Sequence, residues 1–243
     1  MNLLLLEPEE ADGRTVRLRG RRAEHVRRVL RVAAGSTLQA GILGQSRGNA
    51  TVLSVSPKEV LLTYEAQHPV AVGRGRTLLL AVPRPKVLSR CLQHAAALGY
   101  ERIALFRSSR VEKSHFDSHK LSTADMRCQL VLGLEQSRRV RLPKLSLHTR
   151  FRPFVEDELP EILPRLPRYV AHPDTQPTRL LVEKTNPDFV LAVGPEGGFV
   201  PFELELLQAH GFKALSVGTS PLRVESALSC VTGYLIAAHN LCV

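Results

Sequence analysis

"FVLAVGPEGGFVPFELELLQAHG", Phe189 to Gly211, carries an apolar run, a bend rich in glycine and proline, and then a helical pattern. Residues 189–193 suit a buried strand, and Pro201 suits the first turn of a helix. Strand, bend and helix in succession build a parallel sheet. The bend decides what that unit holds. Gly194, Gly197 and Gly198 reach backbone conformations closed to other residues, while Pro195 stiffens the turn, so a ligand can come close to the main chain. Yet Glu196 stands in the middle, where it would repel a phosphate. Neither the G-x-x-x-x-G-K-[ST] nor the G-x-G-x-x-G spacing is present. A carboxylate there suits a cationic or hydroxyl-rich ligand, or else it bonds nearby backbone amides in a structural role.

Working outward, "TLLLAVP", "RIALFRS", "RYVAHP" and "KALSVG" read as further apolar strands. Between them lie the helices "KVLSRCLQHAAALG", closed by Gly99, and "LSTADMRCQLVLGLEQSRR"; the chain ends in the apolar helix "ESALSCVTGYLIAAHNL". Strands that alternate with helices predict an α/β domain over 77–243, with a parallel sheet covered on both faces. Ligands of such sheets sit beyond the carboxyl ends of the strands. Three late strand ends, "VAHPD", "VGPEGGF" and "VGTSPLRVESA", are therefore the candidate site. The third brings Arg223 and Glu225 to its mouth. Glu225 also suits a helix's first turn through the macrodipole, whereas an arginine between an apolar strand and an apolar helix points to a planar or anionic ligand.

Residues 1–70 read differently. "TVRLRG", "STLQAGILG", "NATVLSVS" and "EVLLTYEA" are short β-prone runs, the last two flanking Pro57-Lys58 as a hairpin-like pair. The helix "RRAEHVRRVLRV" places Val26, Val29, Leu30 and Ala33 at helical spacing, with Arg21, Arg22, Arg27, Arg28 and Arg31 on its other faces. Arg14, Arg17, Arg19 and Arg47 crowd the same compact β-barrel-like module, and "HPVAVGRGR" reads as a linker.

The 243 residues carry 33 Lys and Arg against 23 Asp and Glu, a formal net charge of +10, which points to a polyanionic partner such as nucleic acid. Cys91, Cys128, Cys230 and Cys242 are isolated, which suits buried thiols in a reducing compartment and neither a zinc site nor a disulfide frame. The N-terminal apolar run is too short for a secretory segment and nothing matches a membrane span, so the expected location is the cytoplasm.

"GPEGGF", followed by "LRVESA", resembles the signature of the RsmE family, S-adenosylmethionine-dependent methyltransferases of the SPOUT class that methylate N3 of a uridine in 16S ribosomal RNA. Supporting likenesses run along most of the chain: "HVRRVLRV" with Gly35, "AVPRPK", "QHAAALG", "EQSRR" and "VAHP". Arg84 stands where the family has lysine, Arg138 where it has a small residue, and Ser226 where it has threonine. The resemblance implies a PUA-like RNA-binding β-barrel over 1–70 and a trefoil-knotted SPOUT domain over 77–243 in a homodimer without metal. It implies a cofactor pocket walled by Ala171, Gly194, Pro195, Glu196, Gly197, Gly198, Leu215, Val217, Gly218, Pro221 and Leu222. Arg223, Glu225 and Glu196 are then the catalytic candidates, and Arg21, Arg22, Arg28, Arg31, Arg84, Arg138 and Arg139 the RNA-binding ones, with 16S rRNA or the small ribosomal subunit as partner. The alternatives are a SPOUT methyltransferase acting on another rRNA or tRNA site, or a non-catalytic RNA-binding protein of ribosome assembly.

Overall fold

The computed structural model describes residues 2–11, 15–70, 73, 75–162, 166–173 and 188–240; Arg14 and Cys242 lie outside the described residues. The chain divides into two compact units, Met1–Gly73 with Leu134–Leu142, and Arg74–Gly133 with Pro143–Val243.

In the first unit, strands β1 (Leu4–Leu6), β2 (Val16–Leu18), β3 (Thr37–Ile42), β4 (Ser46–Val55) and β5 (Val60–Pro69) form one sheet in the order β1-β3-β4-β5-β2. Only β1 and β3 run parallel; the other pairs are antiparallel. Alternate side chains, among them Leu4, Leu6, Val16, Leu18, Ala50, Val52, Val60 and Leu62, build a common core. β4 and β5 pair across Pro57-Lys58, with Val55 opposite Val60. Helix α1 (Gly20–Glu24) continues as a π turn over His25–Val29, in which the Leu30 amide donates to the His25 carbonyl at 3.1 Å. That wider turn breaks the helical spacing read from the sequence. Val26 is fully buried, but Val29 is 64% exposed and Leu30 39%.

The second unit holds β6 (Thr77–Ala81), β7 (Arg102–Phe106), β8 (Lys144–His148), β9 (Arg168–Ala171), β10 (Val190–Val193) and β11 (Phe212–Leu215) in the order β11-β9-β10-β6-β7-β8, every pair parallel. Its helices are α2 (Pro85–Leu98), α3 (Lys113–Phe116), α4 (Thr123–Ser137), α5 (Phe151–Pro153), α6 (Leu159–Ile162), α7 (Pro201–Ala209) and α8 (Val224–Asn240), the last turn of α4 falling in the first unit. Burial of the central strands explains their continuous apolar sequences, since β6 and β10 are covered throughout. Gly99 closes α2 in the left-handed conformation with φ 81°. Tyr100 Oη and Thr232 Oγ1, 2.7 Å apart, join the end of α2 to α8 in the core.

Two positions expose the constraints on α4. At Gly133 a Cβ would lie 2.2 Å from the Gln93 carbonyl oxygen, so α2 and α4 approach at backbone level. Gly133→Ala is expected to destabilise the protein by about 3 kcal/mol in denaturant unfolding, because backbone cannot yield as a side chain can. Arg138 follows α4 with φ 57°, a conformation that favours glycine. Arg138→Gly is expected to stabilise by about 0.5 kcal/mol in the same assay, relief of strain outweighing the entropy gained by the unfolded chain.

Candidate functional site

The carboxyl ends of β9, β10 and β11 open onto a cavity of about 300 Å³. Ala171 contributes from the end of β9 and Gly194, Pro195, Glu196, Gly197 and Gly198 from the bend after β10, while Leu215, Val217, Gly218, Pro221 and Leu222 line it from the stretch after β11. Side chains from α8 complete the wall. Val224, Ala227 and Val231 face the cavity at helical spacing, with His172, Phe199, Ser216 and Ser220 at its edges. Those helix residues were legible only as part of an apolar helix, since nothing local says which face it presents.

The bend is shaped by close contacts that leave little room for side chains. The Gly198 amide donates to the Pro195 carbonyl at 2.8 Å, closing a tight turn, and Gly198 takes φ 70°. A Cβ at Gly194 would stand 3.3 Å from both the Gly198 Cα and the Phe199 amide nitrogen. A Cβ at Gly197 would instead meet the Arg110 side chain, 3.0 Å from its Cδ. Arg110 lies along this glycine and donates from Nη1 to the Gly197 carbonyl. Beyond the bend, Glu203 is 1% exposed and binds two amides, Ser109 at 2.7 Å and Val200 at 3.1 Å. It thereby caps α7 and fastens the loop after β7 to the bend. The sequence showed Glu203 only as one acid in a helical first turn.

Glu196 is exposed, and its Oε1 accepts the Arg84 amide at 3.0 Å, where α2 begins. Arg84's guanidinium is exposed. Glu225 is only 8% exposed and does not line the cavity. It lies on the α2-facing side of α8, where its Oε1 accepts Arg90 Nη2 at 2.9 Å and Nε at 3.1 Å. Burial pushes its acidity down, but its own backbone amide, the Arg90 hydrogen bonds and the Arg90 and Arg223 charges outweigh that, holding the carboxyl below the ordinary carboxylate range. One turn on, Ser229 Oγ lies 3.0 Å from His94 Nδ1. Cys91, beside this pair, is pushed up to about 12, first by burial and then by the Glu225 charge, which keeps it a protonated thiol. Arg223 itself is exposed just ahead of α8, with its carbonyl accepting the Ala227 amide at 2.8 Å.

In the first unit, much of the arginine cluster is internally engaged. Arg22 grips Glu10 and the Leu5 carbonyl, Arg21 the buried Glu135, and Arg28 the Glu24 of its own helix at 2.9 Å. Arg31, Arg138 and Arg139 are exposed, the first with φ 52°. Among the described residues no cluster of His, Cys, Asp and Glu could hold a metal ion, and no helix is long and apolar enough to cross a membrane.

A glycine-bent cavity at the carboxyl edge of a parallel sheet is a general ligand site of α/β folds, and one family built this way is the RNA methyltransferase domain. Residues 74–236 match that family, and the chain belongs to it. It is 29% identical to the ribosomal RNA small subunit methyltransferase E of Treponema pallidum, with 98% of this chain and 92% of that protein covered. The ribosomal RNA small subunit methyltransferase E 1 of Borreliella burgdorferi is 25% identical over 99% of both chains. The fold is similar to that of ribosomal RNA small subunit methyltransferase E from Neisseria gonorrhoeae, solved bound to S-adenosyl methionine, with a TM-score of 0.76, 19% identity, and 98% of this chain and 97% of that one covered.

The Arg90–Glu225 pair gives a pH signature. Because the Glu225 pKa is depressed on folding, its contribution to stability is complete above the ordinary value of 4.5 and is lost as pH falls through the lower folded value. Glu225→Gln should therefore destabilise by about 1 kcal/mol at pH 7, discounted for a half-exposed Arg90, and the gap to wild type should shrink in acid. Thermal unfolding from neutral to acid pH reads this directly; a gap that widens in acid reverses the sign.

Proposed function

We propose that this chain uses S-adenosylmethionine to methylate N3 of a specific uridine in 16S ribosomal RNA, in the cytoplasm and as a homodimer. The observation that carries the reading is the cavity after β9, β10 and β11, walled by two glycine-containing stretches and by apolar side chains of α8. Its volume of about 300 Å³ lies at the small end of ligand pockets. Apolar walls suit an adenine ring, while main chain freed by Gly194 and Gly198 can bond its edge. Glu196 favours a cationic ligand over a phosphate. The names of the relatives, and the cofactor in the Neisseria gonorrhoeae structure, support the same assignment. The reading includes a PUA-like barrel in the first unit, serving RNA binding, and a trefoil knot in the second.

When bound, the cofactor supplies an electrophilic methyl group on a sulfonium. The protein's task is to position uridine N3 in line with it and to manage a proton that makes N3 a poor nucleophile. Arg223, exposed at the end of the stretch after β11, is the cation that stabilises negative charge developing on the uracil oxygens. Glu225 stands behind it as an ionised residue held by Arg90, and tempers the arginine's charge. Glu196, at the cavity wall, orients the ligand, and the N3 proton leaves to water once charge on the ring is stabilised. The target base leaves its stack to reach this depth.

Two measurements test the proposal. Mass mapping of nucleosides in 16S rRNA from a strain lacking the gene should show loss of N3-methyluridine alone; loss of any other methylated nucleoside contradicts the assignment. Arg223→Ala should lower turnover at least about 100-fold, the scale of a lost charge-stabilising donor, with cofactor affinity changed only modestly. Unchanged turnover removes Arg223 from the chemistry.

A further inference from the structure

We propose that the RNA strand entering this cavity is gripped by an arginine rim over the β6–β7–β8 half of the second unit's sheet, formed by Arg84, Arg107, Arg110 and Arg150. The inference rests on the reading of the cavity as a methyltransferase site and adds where the substrate's phosphates lie.

The sheet order β11-β9-β10-β6-β7-β8 separates two halves at its carboxyl edge. The cavity occupies the ends of β9, β10 and β11. The other three strands end in short connections, residues 82–84, 107–112 and 149–150. Those connections carry Arg84, Arg107, Arg110 and Arg150 against a single acid, Glu112. Arg84, Arg110 and Arg150 are exposed, and Arg107 is half-buried. Neither Arg107 nor Arg150 makes a side-chain hydrogen bond or ion pair among the described residues. In the first unit Arg17 and Arg19 share Glu59 and Arg21, Arg22 and Arg28 are paired, while the exposed Arg31, Arg47 and Arg138 stand apart on separate segments.

Spacing favours a nucleic-acid strand. Neighbouring strands stand about 4.8 Å apart, so the ends of β6, β7 and β8 span roughly 10 Å. Adjacent phosphates of a single strand lie further apart than the duplex axial rise of about 3.4 Å, so that length seats roughly two of them. The rim is also fixed in register with the cavity. Arg110 holds the Gly197 carbonyl of the bend, the Arg84 amide binds Glu196, and Glu203 binds the Ser109 amide in the Arg107–Arg110 connection. A strand laid along the rim is thus led to the cavity at a set distance. Arginine suits phosphate because its planar fork presents paired donors.

The test uses the full chain with Arg107→Ala and Arg150→Ala together, since neither residue lines the cavity. Fluorescence anisotropy with a single-stranded RNA oligonucleotide containing one uridine should show the slope of log affinity against log salt falling by about 1.4, two contacts at roughly 0.7 each. An oligonucleotide with cytidine in place of uridine should lose affinity equally, because phosphate contacts carry no base information. Arg107→Lys with Arg150→Lys should restore most of the slope. Lys213→Ala, at the exposed Lys213 of β11, should leave it unchanged. An unaltered slope in the double alanine variant overturns the rim, as does an equal drop in Lys213→Ala. An effect seen only with the intact small subunit and never with RNA also overturns it, in favour of a protein contact. Calorimetry with S-adenosylhomocysteine keeps the two proposals apart: no binding by the wild-type chain counts against the cavity's assignment, whereas the salt slope judges the rim alone.

Discussion

A side chain at Gly194 would crowd the main chain that follows it, and the functional half of the second unit depends on that close approach. The chain leaves β10 and turns back so sharply that the Gly198 Cα and the Phe199 amide come within 3.3 Å of where a Cβ would be. The turn delivers the Phe199 ring onto Phe106 of β7, stacked with planes nearly parallel at 1° and centroids 6.3 Å apart. Core packing therefore holds the bend from below. From the other side Glu203 binds the amides of Val200 and Ser109, so the bend, the start of α7 and the connection after β7 form one piece. A buried carboxylate is tolerated there because both of its oxygens are satisfied by main-chain donors.

The same economy governs the other carboxylates. Glu196 is tied to the start of α2 and Glu225 to Arg90, so each acid near the site already has a partner. An ionised carboxylate held below its ordinary range is a weak base. What remains exposed next to the cavity is cationic: Arg223 sits between the lining residues Leu222 and Val224, and the Arg84 amide binds the lining Glu196. A reaction that develops negative charge on a flat ring can use such an arrangement directly; one that needs a strong protein base cannot.

The strand–helix rhythm of the second unit was legible because strands covered on both faces must be apolar throughout, as β6, β7 and β10 nearly are. β8 escaped for the converse reason. "KLSLH" lies at the sheet edge, alternates polar with apolar residues, and is short enough to pass for a loop. Strand order was beyond reach, since β10 is inserted between β9 and β6 by pairings that no local pattern encodes. The glycine bends were readable as bends, and their residues as one side of a pocket. The facing of α8 and the pairing of Arg90 with Glu225, 135 residues apart, depend on tertiary packing.

Net charge illustrates a different limit. An excess of +10 counts cations without saying which are neutralised in place. The helix rich in arginine drew attention in the sequence, yet Arg22 is partly buried against Glu10, and its donors also cap the Leu5 carbonyl. Such an arginine stabilises a fold through hydrogen bonds to a charged partner, and its field is cancelled within a few ångströms. Arg107 and Arg150 look unremarkable in sequence because each stands alone in a short connection. Parallel strands bring those connections to one edge, and with few acids beside them their fields add. For attraction of a polyanion, the sum over an edge of the fold counts for more than clustering along the chain.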